Sequence, residues 1–149
     1  MAEIRVSVEV AQPVGTVFAY LSEMEHLREW AEGIEEVRNL APDVPGAGTV
    51  YVMAGTMLGR RIETTYTIIQ YEPGKQFTGQ SRIGPVALLD RFTFTPTATG
   101  TWVTQVSRFQ GGGISQVLAR ILVLALKKRL ATDLQRAKTL MEARAAVPA

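Results

Sequence analysis

Chemistry in this chain has to be sought among Asp90, Gln105, Ser107, Thr64 and the tyrosines, because the usual reactive side chains are scarce. The 149 residues contain no cysteine and a single histidine, His26. The lack of thiols excludes a disulfide framework, a thiolate zinc site and a cysteine nucleophile. One imidazole excludes a multi-histidine metal centre and makes any serine triad depend on His26 alone. His26 lies among Glu23, Glu25, Glu29 and Glu32 on a stretch that reads as a short surface helix, so it is expected to be a solvated side chain with no second ligand in range. The glycines make neither a G-x-G-x-x-G fingerprint nor a P-loop. The reading therefore assigns no metal and no cofactor. It leaves a binding domain, or an enzyme working through carboxylates, hydroxyls and pocket shape.

The polar candidates come together only if the chain around them is a meander. A turn at 97–99 that pairs Phe94 with Val103 sets Phe92 opposite Gln105 and Asp90 opposite Ser107 on one sheet face, with Leu88 and Phe109 beside them. A tight turn at Gly84-Pro85 carries that face through Ile83, Ser81, Gly79 and Phe77. The next turn, at Pro73-Gly74, carries it through Ile62, Thr64, Tyr66 and Ile68, and Tyr51 and Met53 continue it. Glu63, Arg82, Arg91, Thr93, Thr95, Thr104 and Arg108 fall on the other, solvated face. Burying a carboxylate is costly unless it is paired or protonated, so an inward Asp90 is the best candidate for a general acid or base, or for a ligand anchor. The alternative sets Asp90 at a strand mouth, solvated or paired with an arginine. Gln105 and Thr64 are expected to be satisfied by water or by each other. Tyr51, Tyr66, Phe92, Phe94 and Phe109 make either a stacking platform for an aromatic or sterol-like ligand or plain core, and Trp30 either closes the core or lines the pocket.

The elements that must position these groups follow from periodicity. Ile4, Val6, Val8 and Val10 alternate with charged or polar residues, the mark of a half-buried strand. Pro13 reads as a first helical position, with Val14, Val17, Phe18 and Leu21 on one helix face, and Ser22-Glu23-Met24-Glu25 reads as a capping box opening a second short helix. Strands are predicted near 34–40, 48–55, 59–72, 75–83, 86–96 and 100–110, joined by turns too short for anything but antiparallel neighbours. Gly111-Gly112-Gly113 then releases the chain into a helix from Ile114 to about Arg144, whose first half is apolar most of the way round. A seven-stranded antiparallel sheet curls around whatever covers it, and that long helix is the only cover on offer. The expected architecture is α+β: one domain, 1–149, with two short helices after the first strand and a cavity between sheet and C-terminal helix. Leu118, Ile121 and Leu122 are expected to line that cavity from the helix side.

The formal charge of +2 is too small to imply nucleic acid, but its distribution is uneven: residues 1–43 carry −6, 44–113 carry +3 and 114–149 carry +5. Met1-Ala2-Glu3 begins without a basic or apolar leader pattern, and the most apolar stretch, Ile114–Leu126, is interrupted by Arg120, so the expectation is a cytoplasmic chain with no membrane span.

The stretches Val8 to Ser22, Trp30, Ile68 to Phe77, Phe92-Thr93-Phe94-Thr95-Pro96, Gly100-Thr101 and Leu130 to Glu142 together resemble the polyketide cyclase/dehydrase branch of the START-like (SRPBCC) superfamily. The resemblance covers nearly the whole chain and implies the helix-grip fold. It implies a shared cavity, not a shared catalytic signature. Three functions follow as expectations. The first is a binder of a small hydrophobic molecule such as a lipid, isoprenoid or polyketide. The second is a cyclase or dehydratase using Asp90 or a pocket tyrosine. The third is a module docking on a membrane or partner, a homodimer included, through Leu122, Val123 and Leu126 with Lys127, Lys128 and Arg129.

Overall fold

A computed structural model describes residues 2–42, 46–57, 59–83, 85–110 and 116–146. The chain runs β1 (Ala2–Val10), α1 (Val14–Ser22), a 3-10 turn (Met24–His26), α2 (Leu27–Trp30), β2 (Ile34–Asn39), β3 (Val50–Met57), β4 (Arg60–Glu72), β5 (Gln76–Ile83), β6 (Val86–Pro96), β7 (Thr101–Gln110) and α3 (Gln116–Ala146). All seven strands join one antiparallel sheet in the order β1-β7-β6-β5-β4-β3-β2. It is the expected helix-grip arrangement.

The register is the one the hairpin arithmetic predicts. Phe94 pairs with Val103, Phe92 with Gln105, Asp90 with Ser107 and Leu88 with Phe109. Across β5 and β6, Phe77 faces Phe92, Gly79 faces Asp90 and Ile83 faces Val86. A bulge between Ile68 and Gln70 resets the β4–β5 pairing without turning the apolar face outward, since Tyr66, Ile68 and Phe77 are all buried. The turn before β5 is set by Pro73 and by Gly74 at φ +76°, and it closes with the Lys75 amide donating to the Glu72 carbonyl at 2.9 Å.

Several expectations need correcting. Pro13 occupies the position before the first helical residue: its carbonyl accepts from the Val17 amide at 3.1 Å. The capping box does not form. Ser22 is the last residue of α1 and Glu23 alone separates it from the 3-10 turn, too short a connection for a capped restart, and no side chain bonds back at Glu23. β3 continues through Gly55 to Met57 instead of bending there. Gly55 is needed for close approach, because a Cβ at that position would collide with the Gly33 carbonyl.

α3 has 31 residues, about 46 Å of helix, whereas the nine residues of β1 on which it packs span about 30 Å. Only part of it can therefore be covered. Leu134, Ala137 and Met141 are buried, while Val117, Ile121, Leu122 and Leu124 are 71%, 58%, 43% and 69% exposed. The expectation that Ile121 and Leu122 line the cavity is thus corrected. Leu118 lies outside the residues whose side chains are described, as does the triple glycine at 111–113. The far end of α3 is tied to β1. Lys138 Nζ donates to the Glu9 carbonyl at 2.9 Å, and Glu142 Oε2 accepts from the Ala11 amide at 2.8 Å and from Lys138 at 2.7 Å.

Candidate functional site

Between the concave sheet face, α2 and the middle of α3 lies a cavity of about 230 Å³ with a mostly apolar wall. Trp30, Met53, Phe92 and Phe109 line it, together with Leu126 and Leu130 of α3. Thr64, Tyr66, Asp90, Gln105 and Ser107 line it as well, so the polar outliers of the apolar face share one wall. Tyr51 and Phe94 do not reach it. Phe94 packs edge-on against Phe18 and Phe77 at 5.1 and 6.0 Å between ring centres, in the closed part of the core, and Tyr51 is buried there with its hydroxyl pushed up to about 12, mainly by burial. The five-ring platform therefore shrinks to Tyr66, Phe92 and Phe109. Phe92 is held by stacking on Phe77 at 4.8 Å and by the edge contact of Trp30 at 6.4 Å.

Asp90 is buried and has no arginine partner among the described residues. Its Oδ1 accepts from Ser107 Oγ at 2.7 Å and from Gln105 Nε2 at 3.2 Å, and its Oδ2 accepts from the Tyr66 hydroxyl at 3.4 Å. The solvated or arginine-paired alternative is overturned, because the facing residues on β5 and β7 are Gly79 and Ser107. Burial raises the Asp90 carboxyl above the ordinary carboxylate range, and the three donors hold it partly down. The Tyr66 hydroxyl is raised well above its ordinary range by burial first and by Asp90 second.

Tyr66 reaches Asp90 because Gly79 lies between their strands without a side chain. A Cβ on Gly79 would fall inside the Tyr66 ring. Thr64 and Gln105 do not satisfy each other. The Thr64 hydroxyl donates to the Arg82 carbonyl at 2.7 Å. Gln105 Oε1, on a side chain only 4% exposed, has no partner among the described residues.

A second polar group, which the sequence reading missed, ties α3 to the loop after α2. Asp133 Oδ1 accepts from the Glu32 amide and from Arg136 Nη1, both at 3.2 Å. Arg136 Nη1 also donates to the Trp30 carbonyl at 2.9 Å, and Arg129 Nη2 donates to the Glu32 carbonyl. Asp133 is 4% exposed, and burial raises its carboxyl despite both arginines. The signal was present in the sequence: Asp133 falls at helical spacing between Leu126, Leu130 and Ala137, on the face where an acid has to be buried.

His26 is less solvated than its glutamate neighbours suggest. Its ring stacks on Tyr20 at 4.5 Å and its Nδ1–H donates to the Tyr20 carbonyl at 2.9 Å. Tyr20 in turn donates to Glu29, which also accepts from Arg144. The cluster fastens the 3-10 turn and α2 to the end of α3, away from the cavity. Among the described residues no group of three or more metal-ligating side chains converges, and no helix is long and apolar enough to cross a membrane.

Residues 1–142 match the model of the family described as polyketide cyclase / dehydrase and lipid transport. None of the curated proteins matches the sequence. Among solved structures, TTHA0849 of Thermus thermophilus superposes with a TM-score of 0.79 at 18% identity, over 96% of this chain and 99% of that one. The aromatase/cyclase ZhuI of Streptomyces sp. R1128 gives 0.80 at 16% identity, over 97% and 95%. The di-domain aromatase/cyclase StfQ from the steffimycin biosynthetic pathway gives 0.81 at 19% identity, over 97% of this chain and 52% of that one. At these identities the likeness is one of fold.

Proposed function

Because the chain belongs to the polyketide cyclase / dehydrase and lipid transport family, we propose that it binds a small, largely apolar molecule in the cavity between the curved sheet and α3. The observation that carries this is the cavity itself: interiors close-pack, and here about 230 Å³ bounded by Trp30, Met53, Phe92, Leu126 and Leu130 is left unfilled. Native mass spectrometry of material purified from its own host tests it. A retained hydrophobic molecule, displaced in a Met53→Trp variant that fills the space, is the expected result. A protein that takes up no hydrophobic probe, in titration or in the spectrum, would overturn it.

A catalytic reading has one observation in its favour, a buried carboxylate with a raised pKa among hydroxyls on the cavity wall. In a cyclisation, Asp90 would take a proton from the carbon beside a carbonyl. It would return that proton to the alkoxide formed as the new C–C bond closes, so that nothing is consumed. Against it, Ser107 and Tyr66 spend their hydroxyl protons on Asp90, Thr64 on Arg82 and Thr56 on Glu35, which leaves Ser81 as the one hydroxyl of the lining without a partner among the described residues to stabilise a developing oxyanion, where an oxyanion hole works best with several converging donors. Binding therefore ranks first. Hydrogen exchange at C1 of 2-tetralone in deuterium oxide tests catalysis: acceleration that is lost in Asp90→Asn favours the enzyme, and no acceleration removes it.

Of the docking patch expected from the sequence, Val123 and Leu126 pack against the core and Arg129 lines the cavity, which leaves Leu122, Lys127 and Lys128 outward. The uncovered end of α3 around them supports a separate role, docking on an anionic lipid surface. Val117, Ile121, Leu122 and Leu124 are exposed beside the exposed cations Arg120, Lys127 and Lys128, and residues 116–132 contain no acid. Apolar side chains set among unopposed cations complement a bilayer carrying negative headgroups. Flotation with phosphatidylglycerol vesicles is the test. Co-flotation that fails with phosphatidylcholine alone is expected. No flotation, with a doubled mass in solution, would make the face a dimer contact instead.

A further inference from the structure

Of the hydroxyl protons in the cavity lining, all but one have an acceptor among the described residues. Ser107 and Tyr66 donate to Asp90, Thr64 to the Arg82 carbonyl and Thr56 to Glu35. Ser81, which lines the cavity from the inward face of β5, has no such partner. The residue is only 8% exposed. Gln105 Oε1 is the one fully enclosed side-chain oxygen or nitrogen without a partner among the described residues, so the Ser81 hydroxyl, equally unpartnered, keeps open space beside it, and that space is the cavity. Ser81 stands opposite Leu88 on β6 and Tyr66 on β4, one inward-facing step along β5 from Gly79, which faces Asp90.

A buried hydroxyl proton without an acceptor is unfavourable, and water is a poor remedy at this place. A water in a cavity needs about two to four polar partners, whereas the side chains facing Ser81 are Leu88 and a tyrosine whose hydroxyl is turned to Asp90. We infer that the ligand carries a carbonyl group, that its oxygen accepts from Ser81 Oγ, and that its apolar body lies against Phe92 and Phe109. This deepens the binding reading above and rests on it. A carbonyl takes the Ser81 proton and brings none of its own, while an alcohol brings a second proton to be placed. A second place for a ligand oxygen is Arg129 on α3, which gives one guanidinium N–H to the Glu32 carbonyl and has others left. Arg129 is partly exposed, so water competes there as it does not at buried Ser81. Size narrows the class further. A cavity of roughly 150 Å³ holds one benzene ring, so about 230 Å³ suits two fused rings.

A matched pair of probes tests this by isothermal titration: 2-acetylnaphthalene, and 2-isopropenylnaphthalene, which has the same shape with a methylene in place of the carbonyl oxygen. Water holds the two unequally, so the quantity to follow is the change in their affinity ratio between protein variants. Ser81→Ala should move the ratio about three- to tenfold against the ketone, with the alkene affinity kept. On the unaltered protein the infrared carbonyl stretch of the bound ketone should lie below its position in hexane, and in Ser81→Ala it should return toward that position. Should Ser81→Ala not fold, the stretch in Arg129→Met decides: a lowered one supports Ser81 as the donor, and one at the hexane position overturns it. A ratio that Ser81→Ala leaves unchanged overturns the assignment with the cavity reading in place, and a shift in Arg129→Met alone does the same and moves the oxygen to Arg129. If neither probe binds, the cavity reading falls and the assignment with it.

Discussion

The Tyr66 hydroxyl meets Asp90 Oδ2 at 3.4 Å by passing over Gly79, the residue paired with Asp90 on the neighbouring strand. Three strands are thereby linked through a residue that contributes no side chain. Gly79→Ala should expel the Tyr66 ring, destabilise the protein by about 1–3 kcal/mol and weaken probe binding. A double-mutant cycle with Tyr66→Leu checks the cause, since the shorter side chain should recover most of the loss and so show coupling between the two positions.

The pH dependence of stability should carry the mark of Asp90. Its carboxyl is raised in the folded protein, chiefly by burial, so the native state holds the proton more tightly than the unfolded chain. Between the ordinary carboxylate value and the raised one, stability should therefore fall as pH rises. Asp90→Asn should reduce that slope to the part that Asp133, also raised by burial, contributes, and leave the melting temperature at neutral pH equal or higher. Glu142 works in the opposite sense: Lys138, then the Ala11 amide, lower it, so its contribution is present above the ordinary value and is lost as pH falls through the lowered one. Thermal melts of Asp90→Asn and Glu142→Gln across pH 3 to 8 separate the two.

Asp133→Ala should free the Glu32 amide. Hydrogen exchange at Glu32 should quicken, with a stability loss on the order of 1–3 kcal/mol. Exchange in β6 and β7 should not change. Unaltered protection at Glu32 would show that Arg129 and Arg136 hold the loop without it.

Leu124→Glu, at a side chain 69% exposed, should change stability by no more than about 0.5 kcal/mol. The same change should abolish flotation with anionic vesicles. A large drop in melting temperature would mean that the side chain is covered by something in solution.

Strand pairing from β5 to β7 was readable from the chain because each of those hairpins fixes the register of the next, and the alternation of Phe92, Phe94, Gln105 and Ser107 left one way to face them, whereas the bulge between Ile68 and Gln70 resets β4 against β5 in a way that turn length does not encode. The meeting of Asp90 with Ser107 and Gln105 followed from that. The helix side was less legible. A helix apolar most of the way round does not declare which face is covered, and only the length of the sheet beneath α3 decides that Leu126 and Leu130 turn inward while Ile121 and Leu122 do not. The burial of Asp133 was legible in its helical spacing, but its tie to Glu32 joins positions a hundred residues apart, which no local pattern encodes. Tyr51 and Phe94 were indistinguishable from Phe92 by type and alternation, and depth along the sheet separates them.

The strand order also bears on how the chain is made. Every neighbouring pair in the sheet is adjacent in sequence except β1 and β7, whose partners run from Ala2 with Phe109 to Val10 with Thr101. On a ribosome the first strand to emerge is thus the last to find its ladder. Ile4, Val6, Val8 and Val10 must wait, apolar face and edge both bare, until some hundred further residues have been added. The wall carrying Asp90, Gln105 and Ser107 can assemble as a run of local hairpins, but it gains its outer edge only when the beginning of the chain comes back to meet it.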